Sequence, residues 1–277
     1  VSDQYGSFHT KVIAATAGEA PHVLDGLLYH QSGLSIDEHA VDTGGVSDHC
    51  FGLLPFFGYR FAPRMRDLRD RRLHLPPGLA IAPLLAHWTD HKNPVDVEHV
   101  AAHWEELLRM ATSIRAGTVT ASAMLKKLAA YPRQNGLAVA LRELGRLDRS
   151  LYMLRWLLDL DLRRRAQAGL NKGEARNALA RAVFFCQLGE LRDRTFENQV
   201  YRASGLNLVV AAVILWNTRY LQLAAQDLGI GTDTMKHVAP LGWEHLSFTG
   251  DYAWETSDLP GPGQLRPLRT KSSLLAA

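Results

Sequence analysis

Cysteine is scarce in this chain, and a long uninterrupted apolar run is lacking. The two cysteines, Cys50 and Cys186, cannot by themselves build a disulfide framework or a zinc site. Both lie in apolar helical patterns, which predicts buried thiols in a reducing compartment. The longest apolar run, 206–216, contains Asn207 and is too short to cross a bilayer, so it predicts a buried helix and no membrane partner.

The chain also lacks the succession of basic, apolar and small residues that opens a secretory signal peptide. Together with the low cysteine content, this predicts a cytoplasmic protein. The first residue is Val1 instead of an initiator Met, so further chain upstream is expected.

An excess of one charge is also missing, because the net charge is only +3. The basic residues are nevertheless unusual, since 24 of the 31 are Arg, whose planar fork of donors matches phosphate oxygens. Six of these Arg fall between Arg60 and Arg72, against Asp67 and Asp70. Two interpretations stay open for this segment: a solvated face, or a patch that contacts phosphates.

The first third of the chain alternates between strand and helix patterns, which predicts a mixed α/β sheet covered by helices. The predicted elements are two short strands in 1–15, a helix opening at Pro21 and ending near Gly33, a strand over 38–41, a helix capped by Ser47 and running to Gly58, and a strand over 59–63.

From Leu73 onward the pattern is helical. Asn93-Pro94 predicts a helix start and Gly117 a stop, with further helices over 122–131, 137–144 and 148–158. Gly169 and Asn171 predict the end of one helix and the cap of the next, with Glu174 as capping partner. A helix over 196–225 is expected to pack on both sides. Gly229-Ile230-Gly231 predicts a turn, and the tail from Leu259 poor order.

The helix after Asn171 is predicted to bury one apolar stripe, with basic side chains away from it. The stripe consists of Ala175, Leu179, Ala182, Val183 and Cys186. The residues expected off the stripe are Lys172, Arg176 and Arg181.

Two acids far apart in sequence are the candidate reactive groups. Asp42, in Val41-Asp42-Thr43-Gly44-Gly45, follows a predicted strand, and Glu174 lies on a predicted helix. If both met at one rim of a sheet, with a further carboxylate, they could hold two Mg²⁺ ions, one activating a water or a three-prime hydroxyl and the other stabilising the departing oxygen. On local pattern alone, a helix cap is the commoner role for Glu174.

Two other chemistries are disfavoured. An aspartic peptidase needs two such Asp residues in an almost all-β fold, whereas this motif occurs once in a mainly helical chain. The pairs His87 with His91 and His99 with His103 have helical spacing but too few ligands for zinc.

Seven blocks in order resemble the C-terminal catalytic region of the large replicative DDE transposases, the Tn-three family. The blocks are VSDQYGSFHTKVIAAT, DTGG followed by SDH, GYRFAPRMRDL, AGLNKGEARNALARAVFF, LRDRTFENQ, YRASGLNLVVAAVILWNT and PLGWEHLSFTGDY. They run from Val1 to about Trp254.

The resemblance implies an RNase H-like core with helices on the faces of its sheet, interrupted by an all-helical insertion. The expected division is a core over 1–72, an insertion over 73–162, core helices over 163–228 and an extension over 229–277. It also implies cleavage of transposon ends and strand transfer of their three-prime ends into target DNA, dependent on Mg²⁺ with Mn²⁺ as a substitute, and a homodimer when complete.

By the same resemblance, Asp42 is the second acid of the triad and Glu174 the third, both catalytic and metal-binding. Arg60, Arg64, Arg66, Lys172, Arg176 and Arg181 are the expected DNA contacts. The family's first acid lies in a Ser-Asp-Gly-Gln context that does not occur here, so the first strand is incomplete. The chain is therefore expected to be inactive alone. The alternative is a truncated, catalytically incompetent remnant that binds only DNA or a partner.

Overall fold

The computed structural model describes residues 1–13, 18–42, 46–130, 135–185 and 189–250, and helices dominate it. Among these residues the one sheet is a parallel pair, β1 (Glu38–His39) with β2 (Arg60–Phe61), and Leu73 and Thr89 form an isolated parallel bridge. The helices are α1 (Ala20–Leu28), α2 (Asp48–Leu53), α3 (Pro83–Ala86), α4 (Val97–Ala102), α5 (Trp104–Arg115), α6 (Ala121–Ala130), α7 (Gly136–Leu158), α8 (Leu160–Val183), α9 (Phe196–Asp227) and α10 (Thr232–Met235). The predicted mixed α/β composition is confirmed, with a smaller sheet than expected.

The chain divides into two compact units. The larger unit is Phe8–Asn171, and the smaller unit combines Val1–Ser7 with the chain from Lys172 onward. The division falls within α8. The sequence-based boundaries at 72, 162 and 228 stay a prediction.

The parallel pairing of β1 and β2 extends beyond the two-residue strands. The amides of Arg60, Ala62 and Arg64 donate to the carbonyls of Asp37, His39 and Val41 at 2.8 to 2.9 Å. The strand predicted over 38–41 is therefore paired to its end, and it delivers Asp42 beside Arg64.

The strands predicted at the start of the chain are wrong over residues 1–13. Instead, the Ser2 amide donates to the Gly6 carbonyl, and Tyr5 takes a left-handed conformation with φ of 65°. The alternating pattern failed because these backbone groups bond within a tight turn and do not meet a neighbouring strand. The rest of the predicted stretch, Ala14 and Ala15, lies outside the described residues.

The first two helices are confirmed, with one change of length. α1 has Pro21 in its first turn but ends at Leu28, five residues before Gly33. At the start of α2, the Ser47 hydroxyl accepts a hydrogen bond from the Cys50 amide. A 3-10 turn over Leu54–Phe57 continues α2, and Gly58 ends it with φ of 84°, a conformation that favours glycine.

The helix start predicted at Asn93-Pro94 is wrong, because Asp96 caps α4 in its place. The Asp96 carboxylate accepts from the His99 amide at 2.9 Å, whereas the Asn93 side chain is bonded to Asp90. The stop at Gly117 is confirmed, with φ of 74° just after α5.

The helix breaks predicted between residues 144 and 148 and at Gly169 are also wrong. Each helix continues through its glycine, where the helix packs closely against another part of the chain. α7 merges the helices expected over 137–144 and 148–158, and Gly145 inside it packs against the backbone of α2. α8 continues through Gly169, where a Cβ would lie 3.3 Å from the Cβ of Ala40. The Asn171 side chain bonds to Gln167 and caps no helix, so Glu174 lies in mid-helix.

Each unit has its own hydrophobic core. In the larger unit α2 and α7 contribute Phe51, Leu53, Leu141 and Met153, all essentially inaccessible. In the smaller unit Leu179, Val210, Ile214 and Leu241 form the core between α8, α9 and the segment after α10.

The expectation that α9 packs on both sides is wrong. Its buried residues, Val210, Ile214, Asn217 and Ala225, lie on one face, and several large apolar side chains on other faces are exposed. By length and composition alone α9 is also apolar enough to cross a membrane, with 22% of its most apolar window buried. Those two properties do not distinguish a membrane span from a helix of a soluble domain.

We predict that Gly145→Ala strongly destabilises the larger unit, although Ala is the better helix former. A Cβ at this position would overlap the carbonyl oxygen of Asp48. Separating α2 from α7 to relieve the overlap should reduce the free energy of unfolding by about 3 kcal/mol. Urea unfolding followed by circular dichroism measures it.

Gly173→Ala in α8 is the matched control, because no atom lies within 4 Å of its Cβ position. This variant should be neutral or up to about 1 kcal/mol more stable. If both variants unfolded at the same urea concentration, the close approach of α2 and α7 would not be a constraint.

Candidate functional site

Asp42 lies at the end of the extended β1 pairing, half-exposed, with two arginines beside it. Its side chain is 52% exposed, and its Oδ1 accepts from Arg64 Nη2 at 2.9 Å. Arg66 Nη2 lies 3.9 Å from the same oxygen. The structure thus brings together three of the site residues predicted from sequence.

Arg64 is held in place from its backbone and from its side chain. Its amide bonds to Val41, and the Tyr152 hydroxyl of α7 donates to the carbonyl of Pro63 just before it at 2.9 Å. Its side chain is 16% exposed. Arg64 therefore offers Asp42 a fixed positive charge, while Arg66 lies farther off and is more exposed.

Arg60, the third predicted contact of this segment, lies at the other end of the paired strands. Its guanidinium lies 3.9 Å from Glu38, whose other carboxylate oxygen is 3.7 Å from Arg165. Both arginines are exposed, and surface pairs of this kind add little stability.

His39 lies three residues before Asp42, on β1. Burial lowers the pKa of its imidazole to about 4, because a low-dielectric surrounding disfavours the charged form. At neutral pH it is therefore uncharged and adds no positive charge to the edge that carries Asp42.

Glu174 is exposed in the middle of α8, and among the described residues its carboxylate has no hydrogen bond or ion pair. Arg181, seven residues on, is also exposed. Since seven residues are about two helical turns, the two side chains lie on one outward face.

The prediction that Lys172 and Arg176 avoid the buried stripe is wrong. Lys172 Nζ bonds to Asp3 at 2.7 Å and lies 5.3 Å from the centre of the Tyr5 ring. Arg176 is buried, and it donates to the side chain of Asn207 on α9. The reason is spacing: Lys172, Arg176, Leu179 and Val183 follow one another by four, three and four residues, which is one helix face.

Burial lowers the pKa of the Arg176 guanidinium from its ordinary value. It is held inside the smaller unit by Asn207, and its Nε lacks a partner among the described residues. Of the residues expected to contact DNA, this one is least accessible to a phosphate.

The donors at Asp42 and Glu174 fit a divalent cation such as Mg²⁺ in chemistry, since both are accessible carboxylates. Any cation at Asp42 competes with the Arg64 guanidinium for the same group. Across the described residues no group of three or more His, Cys, Asp or Glu side chains is placed to hold a metal. The meeting of the two carboxylates at one rim stays a prediction.

Three of the four residues in the histidine pairs make hydrogen bonds within the described part of the chain. His99 and His103 have ring centres 4.5 Å apart, but His99 Nε2 bonds to the Gly136 carbonyl and His103 Nδ1 to Glu106. His91 Nε2 bonds to the Ala86 carbonyl. Cys50 is a buried thiol as predicted; Cys186, like the loop 43–45 after Asp42, lies outside the described residues.

Sequence reasoning missed two amides that organise the smaller unit, the partly buried Asn207 and the buried Asn217. Asn207 binds Arg176, and Asn217 donates to the carbonyls of Pro240 and Gly242 and accepts from His245. The available signal was a polar residue inside an apolar helical run, which has to find partners when buried.

Comparison with known sequences identifies the family to which this chain belongs. The family described as "Tn3 transposase DDE domain" matches residues 1–252, so the chain belongs to that family. The resemblance found in the seven sequence blocks is thereby confirmed.

Three relatives illustrate the similarity. The chain is 57% identical to the transposase for transposon Tn21 of Escherichia coli and 54% to that for Tn501 of Pseudomonas aeruginosa, over 97% of this chain in each case. It is 36% identical to the transposase for transposon gamma-delta of Escherichia coli (strain K12), again over 97%. It spans about 28% of the length of the first two relatives and 27% of the third.

We predict that His39 makes the protein less stable as the pH falls from about 6.5 towards 4. The unfolded imidazole binds a proton near pH 6.5, whereas the buried one does so only near pH 4. Between these values the unfolded state binds more protons and stability falls with pH.

The measurement is urea unfolding at pH 7 and pH 5 for the wild type and His39→Gln. Burial also lowers the pKa of His22, His49 and His74, so the difference between the two proteins is the quantity of interest. The variant should lose less stability over this range. A nuclear magnetic resonance titration of His39 with an ordinary pKa would contradict the prediction.

Proposed function

We propose that this chain is the catalytic part of a DNA transposase, with an RNase H-like core, that cleaves transposon ends and joins their three-prime ends to target DNA. The observation that supports it most directly is Asp42, an accessible carboxylate at the end of a parallel strand, within a chain of the Tn3 DDE family. A cytoplasmic location accompanies this proposal.

In this proposal Asp42 and Glu174 hold Mg²⁺ or Mn²⁺. When bound, the cations would activate a water or three-prime hydroxyl and stabilise the departing oxygen. Asp42 is suited to this role because its side chain is half-exposed at the end of the paired strand, and a cation there would have to share the carboxylate with Arg64. Glu174 is suited because its helix turns it towards solvent.

The proposed DNA contacts differ in kind. Arg60, Arg66 and Arg181 are exposed and can reach phosphates, so they should carry salt-sensitive affinity. Arg64 and Lys172 are each committed to an acid, and a phosphate would have to share them. Arg176 supports α8 from within instead.

A second candidate is a chain that binds DNA without cleaving it. The observation that favours it is the ion pair in which Arg64 already neutralises Asp42. The two candidates predict different effects on transposition when the charge of Asp42 or Glu174 is removed.

The catalytic role predicts that Asp42→Asn and Glu174→Gln each abolish transposition, although each new side chain has nearly the same size and shape as the one it replaces. The test is a hybrid in which this chain replaces the matching segment of the Tn21 transposase, assayed by transposition of a plasmid bearing Tn21 ends. Losing a cation ligand removes several kcal/mol of transition-state stabilisation, so the frequency should fall at least about 100-fold.

Asp37→Asn and Glu190→Gln are the matched controls. Asp37 is an exposed acid just before the same strand, and Glu190 is an exposed acid paired with Arg192. Both should retain activity within about threefold. An active hybrid that is unaffected by Asp42→Asn or by Glu174→Gln would exclude the proposed role of that residue. An inactive hybrid, with DNA binding by the 277-residue chain on its own, would support the second candidate.

We predict that Arg66→Gln weakens binding of a random-sequence duplex and lowers the slope of log K against log salt by about 1. The reason is loss of one phosphate contact. Arg164→Gln is the control, since Arg164 is equally charged and exposed but pairs with Asp161 on α8. Fluorescence anisotropy over a salt series measures both; identical slopes would exclude Arg66 as a phosphate contact.

A further inference from the structure

The outward face of α9 carries large apolar side chains that the smaller unit leaves uncovered. Tyr201, Leu208 and Leu215 are 66%, 72% and 64% exposed. They follow one another by seven residues, so they lie in one row along the helix. The row lies opposite the face that carries Val210 and Asn217, which are buried.

The ends of this row carry opposite charges. Glu197 precedes Tyr201 by four residues, and Arg219 follows Leu215 by four, and both are exposed. The centre of the row is flanked by small, exposed residues: Ser204, Gly205, Ala211 and Ala212. We define the α9 stripe as these four small residues, the apolar row Tyr201, Leu208 and Leu215, and the charged residues Glu197 and Arg219 at its two ends. From Glu197 to Arg219 it covers 23 residues, a rise of about 33 Å.

The α9 stripe is complementary to itself when two copies run antiparallel. With Leu208 on the two-fold axis, Glu197 of one copy lies opposite Arg219 of the other, and Tyr201 lies opposite Leu215. The small residues then face one another on both sides of the axis, where they let two helices approach closely. A parallel pairing would instead place Glu197 opposite Glu197 and Arg219 opposite Arg219.

We propose that the α9 stripe is the interface through which two copies of this chain associate, antiparallel about Leu208. A symmetric pair buries the same patch twice, and each charged contact occurs twice. Burying Leu208 and its apolar neighbours supplies the attraction, and the charges at the two ends select the direction.

A lipid bilayer fits this helix less well than a second copy does. The apolar row is bounded at both ends by charge, and the opposite face holds the buried amide of Asn217, bonded to the carbonyls of Pro240 and Gly242. If α9 crossed a bilayer, Asn217 would lose its hydrogen bonds to these two carbonyls, or the segment that contains them would have to enter the bilayer too.

The size of the stripe sets the expected strength. One helix pair of about six turns falls at the small end of specific interfaces, so a dissociation constant in the micromolar range is expected. Sedimentation equilibrium of the full 277-residue chain between 1 and 200 µM covers that range.

The decisive variants exchange the charges at the ends of the stripe. Glu197→Arg and Arg219→Glu should each weaken association by about tenfold, since each creates two like-charge pairs across the axis. The double variant E197R/R219E should restore it to within about threefold of the wild type, because the opposite charges meet again. Rescue distinguishes this arrangement from a parallel one.

Two further variants separate association from folding. Leu208→Asp places two carboxylates at the axis and should abolish the dimer, while circular dichroism stays unchanged because Leu208 is exposed. Asp227→Arg changes an exposed charge at the end of α9, about 100° away from the stripe, and should leave association unchanged.

A wild type that stays monomeric at 200 µM overturns the proposal, and so does a double variant that is not rescued. Flotation with vesicles of neutral and anionic phospholipid tests the alternative that the α9 stripe binds a membrane surface. Vesicle binding that Leu208→Asp removes, with no dimer in solution, would assign the stripe to a membrane surface instead. None of these readouts depends on nuclease activity, so the inference stands or fails separately from the proposed function.

Discussion

The larger unit depends on the close approach of α2 and α7. A Cβ on Gly52 would lie 2.5 Å from the Leu141 carbonyl, and one on Gly145 would overlap the Asp48 carbonyl, so both glycines are needed for the backbones to touch. Once they do, Arg149 of α7 pairs with Asp48 at the start of α2. One turn further along α7, Tyr152 binds the Pro63 carbonyl next to Arg64.

α7 thereby fixes both chain segments that flank the candidate acid. It holds the start of α2, six residues after Asp42, and the end of the β2 segment that supplies Arg64. The short β1–β2 pairing could not do this alone, because isolated two-stranded pairs have little stability of their own. The position of the Asp42 carboxylate is consequently determined by the packing of α7 as much as by the pairing of β1 with β2.

Local signals predicted the elements that local chemistry controls. Ser47 caps α2 and Gly58 ends the turn after it, because a hydroxyl acceptor and a left-handed glycine act within a few residues. The breaks expected between residues 144 and 148 and at Gly169 lie inside helices, at Gly145 of α7 and Gly169 of α8. The role of these two glycines is a close approach to chain that is distant in sequence, which no local pattern contains.

The candidate site was predictable in its residue types but only partly in its geometry. The acid at the end of a strand and the arginine-rich segment were visible in sequence, and the structure brings Asp42, Arg64 and Arg66 together. The inward direction of Lys172 and Arg176 was missed because charge was weighed above spacing. Their partners, Asp3 and Asn207, lie about 170 and 30 residues away in sequence.

The inward placement of these two cations is what determines the direction of Glu174. Residues 172 and 176 are one helical turn apart and share a face, whereas residue 174 lies two positions from each and points roughly the other way. Holding Lys172 by Asp3 and Tyr5, and Arg176 by Asn207, sets the rotation of α8 about its axis within the smaller unit. The outward direction of the Glu174 carboxylate is thus set by two cationic side chains that make their own contacts within the smaller unit.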